Sequence, residues 1–520
     1  MTARTAVALT TSLFMIAMAM DGACAAPAAA EGGTVKYGIV FDAGSSGSRI
    51  HVYSWRVGGG GPKDKFDLIA DDLLKIKPGL SAHKAAPAEA GASLRPLLAH
   101  AKTKVPAALV PETPVFLMAT AGLRMVGETI KDQILASVCT ELQSSGFLFR
   151  CEWATLLDGT DEGLYGWVTV NYLLDTLYPP AAKPSAGIID LGGGSVQVVF
   201  QPPANVPGLK QMDFSGRMHQ AYIKSHLGFG LDEARRKTLE LAVSKSNRSE
   251  KPARHPCLPK GASVAHTSGT TLSGDGDWAR CLKLTNKLFA KPDWSIDAMP
   301  PLPTTFYGFS YMYDRTAAIG LLDGKPLQFG SAQMSIDQIS AAGETICALD
   351  SDGTATRFAS TQDAAKANNY CGDVAYIAAL LSSLGFGSST QLTMTNKIKD
   401  VELVWTLGAM LAKSAELEAA GGGGGASWVR RALQIGGLVV LALVLRRCMA
   451  VRRPHTHTHT HTHTHTHTHT RTRMHTTSAP ASAAPRHASA LSPAHRAHHL
   501  PSRAGLGGRR VGRRLAASAG

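Results

Sequence analysis

Short, mostly apolar runs that end on Gly, Ser or Asp alternate along this chain with longer stretches whose apolar residues recur every three or four positions. Val35–Phe41, Arg49–Trp55 and Val115–Met118 are β-branched or aromatic runs closed by turn residues, which predicts strands. Pro87–Lys104 and Glu128–Ser144 carry helical spacing. Gly187–Phe200 returns to strand, turn and strand, and Ala375–Leu384 is helical again. From about residue 34 onward the alternation predicts a mixed α/β protein.

One pattern occurs twice. Residues 39–55 read IVFDAGSSGSRIHVYSW and residues 187–200 read GIIDLGGGSVQVVF: an apolar strand runs into Asp, then a Gly/Ser turn, then a second strand. Asp42 and Asp190 are too far apart in the chain for one hairpin to hold both. The repeat suggests two similar lobes, each offering one loop to a shared ligand.

The chain has 520 residues, room for two or more domains, and its 44% hydrophobic and 18% charged residues suit a globular core. A net charge of +14 suggests nucleic acid or membrane until it is located. Fifteen arginines, with no lysine and no acid, follow from position 430, so the remainder sums to about −1. A near-neutral body gives no support to a basic nucleic-acid groove.

Arg4, the apolar run Ala6–Met20 and the small residues 23–26 have the order of a secretory signal peptide or signal anchor. Cysteine usage agrees with an oxidising compartment. Outside Cys24 and Cys448 there remain Cys139, Cys151, Cys257, Cys281, Cys347 and Cys371, whose order invites near-neighbour bridges among 15 possible pairings. No zinc-ligand spacing occurs. Asn247-Arg248-Ser249 is a glycosylation sequon.

Residues 420–426 form a Gly-rich linker, and 427–449, apolar between arginine pairs, is read as a transmembrane segment; an apolar C-terminal helix is the alternative. That reading puts the body on the lumenal or extracellular side of a secretory-pathway membrane, whether Golgi, endoplasmic reticulum or cell surface. Residues 450–520 hold eight His-Thr pairs and an Ala/Pro/Ser/Arg-rich tail of disordered composition. Cys448 is a palmitoylation candidate or a plain thiol.

A strand that delivers Asp and then a Gly/Ser turn suits phosphate. Glycines let several backbone N–H groups converge on an anion and serines add donors. A carboxylate needs a cation between itself and phosphate, and Asp is a good ligand, direct or through water, for Mg²⁺ or Ca²⁺. Three further stretches add chemistry. FLMATAGLRMV (116–126) ends a strand on Thr120-Ala121-Gly122, with Arg124 available to phosphate or to a surface carboxylate. ATLLDGTDEGLYGW (154–167) places Asp158, Asp161 and Glu162 in a Gly-broken loop before a helix, and YGFSYMYDR (307–315) concentrates aromatics in a chain only 6% aromatic.

Together with NNYCGDVAYIAALL (368–381) and NKIKDVELVWTLGAM (396–410), these blocks resemble the apyrase family, the nucleoside triphosphate diphosphohydrolases, over roughly residues 35–412. The resemblance implies two ribonuclease-H-like lobes of the actin, sugar-kinase and heat-shock-ATPase superfamily, with the active site in the cleft between them. Lobe I is expected over 34–185, completed by about 395–418, and lobe II over 186–394. Nucleoside di- or triphosphates are the implied substrates, hydrolysed with Ca²⁺ or Mg²⁺.

Position by position, the resemblance makes Glu162 the catalytic base, with Asp161 its competitor. Ser45, Ser46, Gly47 and Ser48 form the first phosphate loop, and Gly192, Gly193, Gly194 and Ser195 the second. Ser195 and Gln197 orient the attacking water, Thr120 contacts phosphate, and Asp42 and Asp190 hold the metal through waters. Tyr311 and Tyr313, with Phe309, are candidates to hold the base, and Trp405 is expected in packing. Gly194 and Val196 stand where relatives often carry Ala and Thr, which touches fine tuning only. Two rival readings remain: a kinase of the same superfamily, and a membrane-tethered nucleotide-binding protein without turnover. Nothing in the sequence sets an oligomeric state.

Overall fold

The computed structural model describes residues 33–44, 47–61, 63–181, 183–203, 206–246, 253–320, 331–361 and 363–420. The expected signal segment, the sequon at Asn247, the Gly linker from 421, the 427–449 span, the tail, and Ser45 and Ser46 lie outside these residues. Among the described residues no helix is long and apolar enough to cross a membrane.

Two sheets organise the body. The first is β3-β2-β1-β4-β5, built from β1 (Thr34–Ala43), β2 (Ser48–Val57), β3 (Asp67–Ile76), β4 (Val115–Ala119) and β5 (Ala154–Leu156). β1, β2 and β3 pair antiparallel, whereas β4 and β5 add parallel strands beyond β1. The second sheet contains β6 (Gly187–Leu191), β7 (Ser195–Phe200), β8 (Lys210–Phe214) and β9 (Arg217–Leu227). A small side sheet, β10 (Ala253–His255), β11 (Ser263–Ala265) and β12 (Thr271–Gly274), precedes its remaining strands: β13 (Phe306–Ser310), β14 (Ala332–Met334) and β15 (Leu392–Met394).

Reading outward from β6, the second sheet repeats the first. β6, β7 and β9 pair antiparallel, and β13 and β15 follow in parallel on the other side of β6. One plan is thus used twice, with β8 and β14 added at the edges. Each first strand has buried continuous apolar residues (Ile39–Phe41; Ile188 and Ile189), as a central strand covered on both faces requires.

Helices cover the sheets: α1 (Arg95–Lys104), α2 (Ala121–Arg124), α3 (Glu128–Gln143), α4 (Gly159–Leu173), α5 (Leu231–Ser246), α6 (Trp278–Phe289), α7 (Tyr311–Gly320), α8 (Ile336–Ala348), α9 (Tyr370–Ser383) and α10, helical from 405 to 420. The helix expected over Pro87–Lys104 is shorter. Pro87–Glu89 and Ala92–Leu94 are single 3₁₀ turns and the α-helix starts at Arg95, with Pro96 in its first turn, where proline needs no donor.

A core cluster containing Val40, Phe116, Trp167, Ile188, Val199 and Leu407 draws on both sheets, α4 and α10. The last helix is tied back by side chains: Thr169 donates to the Val404 carbonyl at 2.8 Å, the Gly408 N–H donates to Thr169 at 2.9 Å, and Tyr53 and Thr406 share a hydrogen bond of 2.8 Å. The six body cysteines pair as 139–151, 257–281 and 347–371, the near-neighbour order.

Candidate active site

Both Asp–Gly turns open onto one cleft of about 440 Å³, whose walls include Asp42, Gly47, Thr120, Glu162, Asp190 and Ser195. Gly44, Gly192, Gly193, Gly194 and Tyr311 also line it. A larger hollow of about 900 Å³ lies at Arg56, Lys63, Asp175 and Tyr178 but contains none of the residues predicted for chemistry. The smaller cleft is the candidate because carboxylates and glycine loops converge there.

Each loop is backed by a glycine from elsewhere in the chain. A Cβ at Gly79 would stand 2.2 Å from the Gly44 carbonyl oxygen, and one at Gly230 would stand 2.3 Å from the Gly193 carbonyl. In the second loop the carbonyls are tied to the start of α5. Leu231 N–H donates to Gly192 at 2.9 Å and Asp232 N–H to Gly193 at 3.0 Å, while Gly228 N–H takes the Gly194 carbonyl at 2.7 Å. The Gly192 N–H is spent within the loop on the Ser195 carbonyl at 3.0 Å, so with the carbonyls held toward α5 the donors that suit an anion are the N–H groups of Gly193 and Gly194.

Glu162 sits in the first turn of α4 and is 8% exposed. Asp158 caps that helix, accepting from the Thr160 N–H at 2.7 Å, and this bond holds its carboxyl below the usual range. Asp158 is therefore occupied with the helix end. Asp161 is half-buried and does not line the cleft. Burial pushes the Glu162 carboxyl up to about 8; Arg124 pulls against the rise, and Asp190 and Asp42 add to it. Arg124, expected at phosphate or at a surface carboxylate, instead donates to this buried one.

Gln197, on β7, organises the group. Its Nε2 lies 2.9 Å from Ser195 Oγ, 3.1 Å from Ser225 Oγ and 3.2 Å from Glu162 Oε2. Three acceptors exceed what one NH₂ serves at once, so acceptor capacity is left over for a further donor such as water. Ser225, on β9, went unnoticed in the sequence, having no motif around it.

Asp42 and Asp190 are 4% and 7% exposed and face the same cleft. Asp42 accepts from Arg49 Nη1 at 2.5 Å. Burial raises Asp190 to about 6; a Ser310 hydrogen bond opposes this and Asp42 adds to it. Two hard carboxylate donors, one of them paired with a single guanidinium, still carry excess negative charge. Among the described residues no group of three or more His, Cys, Asp or Glu is placed to hold a metal ion. The donors therefore fit a divalent cation that keeps its own waters and takes phosphate oxygens, rather than an all-protein cage.

The remaining predicted residues divide. Thr120 is buried on the cleft wall as the N-cap of α2. Ser48 is buried at the start of β2, and among the described residues its hydroxyl has no hydrogen-bond partner. Tyr311 lines the cleft with its ring 5.0 Å from the Arg315 guanidinium and 5.6 Å from that of Arg235. Tyr313 and Phe309 are buried and do not line it. Trp405, expected only in packing, is buried and also forms part of the cleft wall.

Residues 29–422 match the profile of the GDA1/CD39 (nucleoside phosphatase) family. The chain is 31% identical over 397 residues to human "Ectonucleoside triphosphate diphosphohydrolase 6", covering 74% of this chain and 78% of that protein. It is 32% identical over 392 residues to "Ectonucleoside triphosphate diphosphohydrolase 5" of Gallus gallus, covering 72% and 86%. It is 30% identical over 429 residues to the "Guanosine-diphosphatase" of Schizosaccharomyces pombe, covering 73% and 74%. Among solved structures, nucleoside triphosphate hydrolases from Neospora caninum superpose with a TM-score of 0.58 at 15% identity, covering 80% of this chain and 98% of that one, which is a likeness of fold.

Proposed function

This chain belongs to the GDA1/CD39 nucleoside phosphatase family, and from the cleft we propose that it hydrolyses the terminal phosphate of nucleoside tri- and/or diphosphates with a divalent cation. The observation that carries the reading is the convergence of Asp42, Asp190 and Glu162 on one cleft floored by two glycine loops.

In this reading the phosphates lie between the loop around Gly47 and the loop Gly192–Ser195, with Ser45, Ser46 and Ser48 completing the first loop. Thr120 and the loop amides donate to phosphate oxygens, stabilising charge as it develops. Ser195 and Gln197 orient a water, and Glu162 takes its proton as the oxygen attacks the terminal phosphorus. The bond to the bridging oxygen breaks and phosphate leaves; no side chain is phosphorylated. Asp42 and Asp190 would hold the cation. When bound, it supplies charge neutralisation on the phosphate oxygens. Mg²⁺ fits two carboxylates plus water better than Ca²⁺, which takes more oxygen ligands. Tyr311 borders the base, and Tyr313 and Phe309 support it from the core.

Relatives named diphosphohydrolase and guanosine-diphosphatase support both di- and triphosphate substrates. The N-terminal apolar run and residues 427–449 support attachment to a secretory-pathway membrane, the catalytic body on the lumenal or extracellular side. The test is phosphate release by the full chain from a panel of nucleotides, with Mg²⁺ and with Ca²⁺ and no acceptor. Release from one or more nucleotides is expected. Nucleotide consumed only when a sugar is added, with its phosphate carried to the sugar and none set free, would favour a kinase, and tight binding without turnover a non-catalytic binder.

A further inference from the structure

The two hairpins that carry the loops differ at one matched position. Across the first loop, Arg49 on β2 stands directly opposite Asp42 on β1; across the second, Gln197 on β7 stands directly opposite Asp190 on β6. In both cases the partner is the seventh residue after the aspartate. The second lobe fills the position with a neutral amide turned toward Glu162 and Ser195. The first fills it with a permanent cation.

Arg49 also stands where a ligand would. Both members of the pair line the cleft, and the guanidinium is the more open of the two, its side chain 30% exposed against 6% for Asp42. It lies beside the first loop, with Nη1 3.7 Å from where a Cβ on Gly44 would be. Among the described residues its one side-chain hydrogen bond is to Asp42. That leaves most of a guanidinium's five donors, a fork suited to phosphate. Lys75, another cation of this wall, is already held by Glu402 at 2.6 Å.

Asp42 cannot serve Arg49 and a hydrated divalent cation equally, because the two positive charges repel. Two aspartates and one guanidinium sum to −1; adding a divalent cation makes the set +1, which matches an incoming polyphosphate.

We propose that Arg49 is a phosphate ligand held in reserve on Asp42, released when Asp42 takes up a share of the divalent cation and then bonded to the nucleotide's phosphates. The inference rests on the reading of Asp42 and Asp190 given above. It makes Arg49 a competitor of the cation when nucleotide is absent and a partner of the nucleotide when cation is present.

Those two effects have opposite signs, which a merely structural role does not produce. Arg49→Gln installs the second lobe's own arrangement and is a mild change for the fold. Binding of Mn²⁺ alone to the full chain, and of an α,β-methylene nucleoside diphosphate at saturating Mg²⁺, are measured by calorimetry. The Arg49→Gln protein is expected to bind Mn²⁺ about 3–30-fold more tightly. It should bind the analogue about 10–100-fold more weakly, the scale of one charge-assisted hydrogen bond. Arg49→Lys, which keeps the charge and loses the fork, should fall between on both readouts. Analogue affinity within about threefold of wild type, or weaker Mn²⁺ binding, overturns the proposal. If wild type binds cation and analogue and Asp190→Ala abolishes the cation, that failure belongs to Arg49 alone. If wild type shows no Asp190-dependent cation binding, the proposal and the reading beneath it fall together.

Discussion

Replacing Glu162 with Gln removes a proton acceptor while preserving nearly everything else around it. The side chain is 8% exposed and its Oε2 accepts from Gln197 at 3.2 Å and from Arg124. A Gln carbonyl accepts from both in the same volume. Loss of general-base assistance costs about 10²–10⁴-fold in rate, which is about 3–5 kcal/mol at 1.36 kcal/mol per decade. The loss should fall on kcat, because Glu162 acts on water rather than on the nucleotide. Phosphate release under saturating cation gives kcat, and calorimetric binding of the α,β-methylene analogue gives affinity, expected within about threefold of wild type. Asp161→Asn is the matched control: its carboxylate does not line the cleft, so turnover should stay within about twofold. A Glu162→Gln enzyme turning over within tenfold of wild type, or one impaired only in KM, would refute the assignment.

Because burial holds the Glu162 carboxyl up near 8 and the base must be unprotonated, kcat/KM at limiting cation should climb with pH toward about 8 and level above it; a limb ending near 4.5 contradicts this. The same raised values act on stability. Between about 4.5 and 8 the folded protein holds a proton that the unfolded chain has released, so stability falls as pH rises through that window. Asp190, raised to about 6, acts in the same direction, and cation-free thermal melts of wild type and Glu162→Gln should diverge toward high pH. Asp190→Ala should move the Mg²⁺ activation curve to at least tenfold higher concentration, and an unmoved midpoint counts against its role. Gly230→Ala puts a methyl about 2.3 Å from the Gly193 carbonyl, so the second loop must shift and turnover should drop more than tenfold; unchanged kinetics would show the buttress to be dispensable. Mass spectrometry of protein made in an oxidising compartment should find no free thiol among the six body cysteines, and reductant should lower the melting temperature.

The strands at 34–43, 48–57 and 187–200 were legible because each is a local run of apolar residues ended by a turn, and the Asp–Gly turns announced themselves as a repeat. What the sequence hid is set by tertiary register. Arg49 meets Asp42 only because the first turn closes with the two opposite each other, and Gly79 and Gly230 matter through contacts with loops distant in the chain. Arg124 was noticed, but its choice of Glu162 depends on how α4 packs beside α2. Pro87–Lys104 kept helical periodicity while its proline and glycine residues broke the backbone into turns. The tyrosines of YMYDR share a helix, yet Tyr311 borders the cleft and Tyr313 is buried, a difference of orientation that composition does not encode.

An anomalous-difference map from crystals grown with Mn²⁺ and the α,β-methylene analogue tests the shared cleft most directly. The expected result is one strong peak about 4–5 Å from the carboxylates of both Asp42 and Asp190, one coordinated water away, with phosphate density between the two glycine loops. Manganese and phosphates bound elsewhere, in the hollow beside Lys63 and Asp175 for instance, would contradict it.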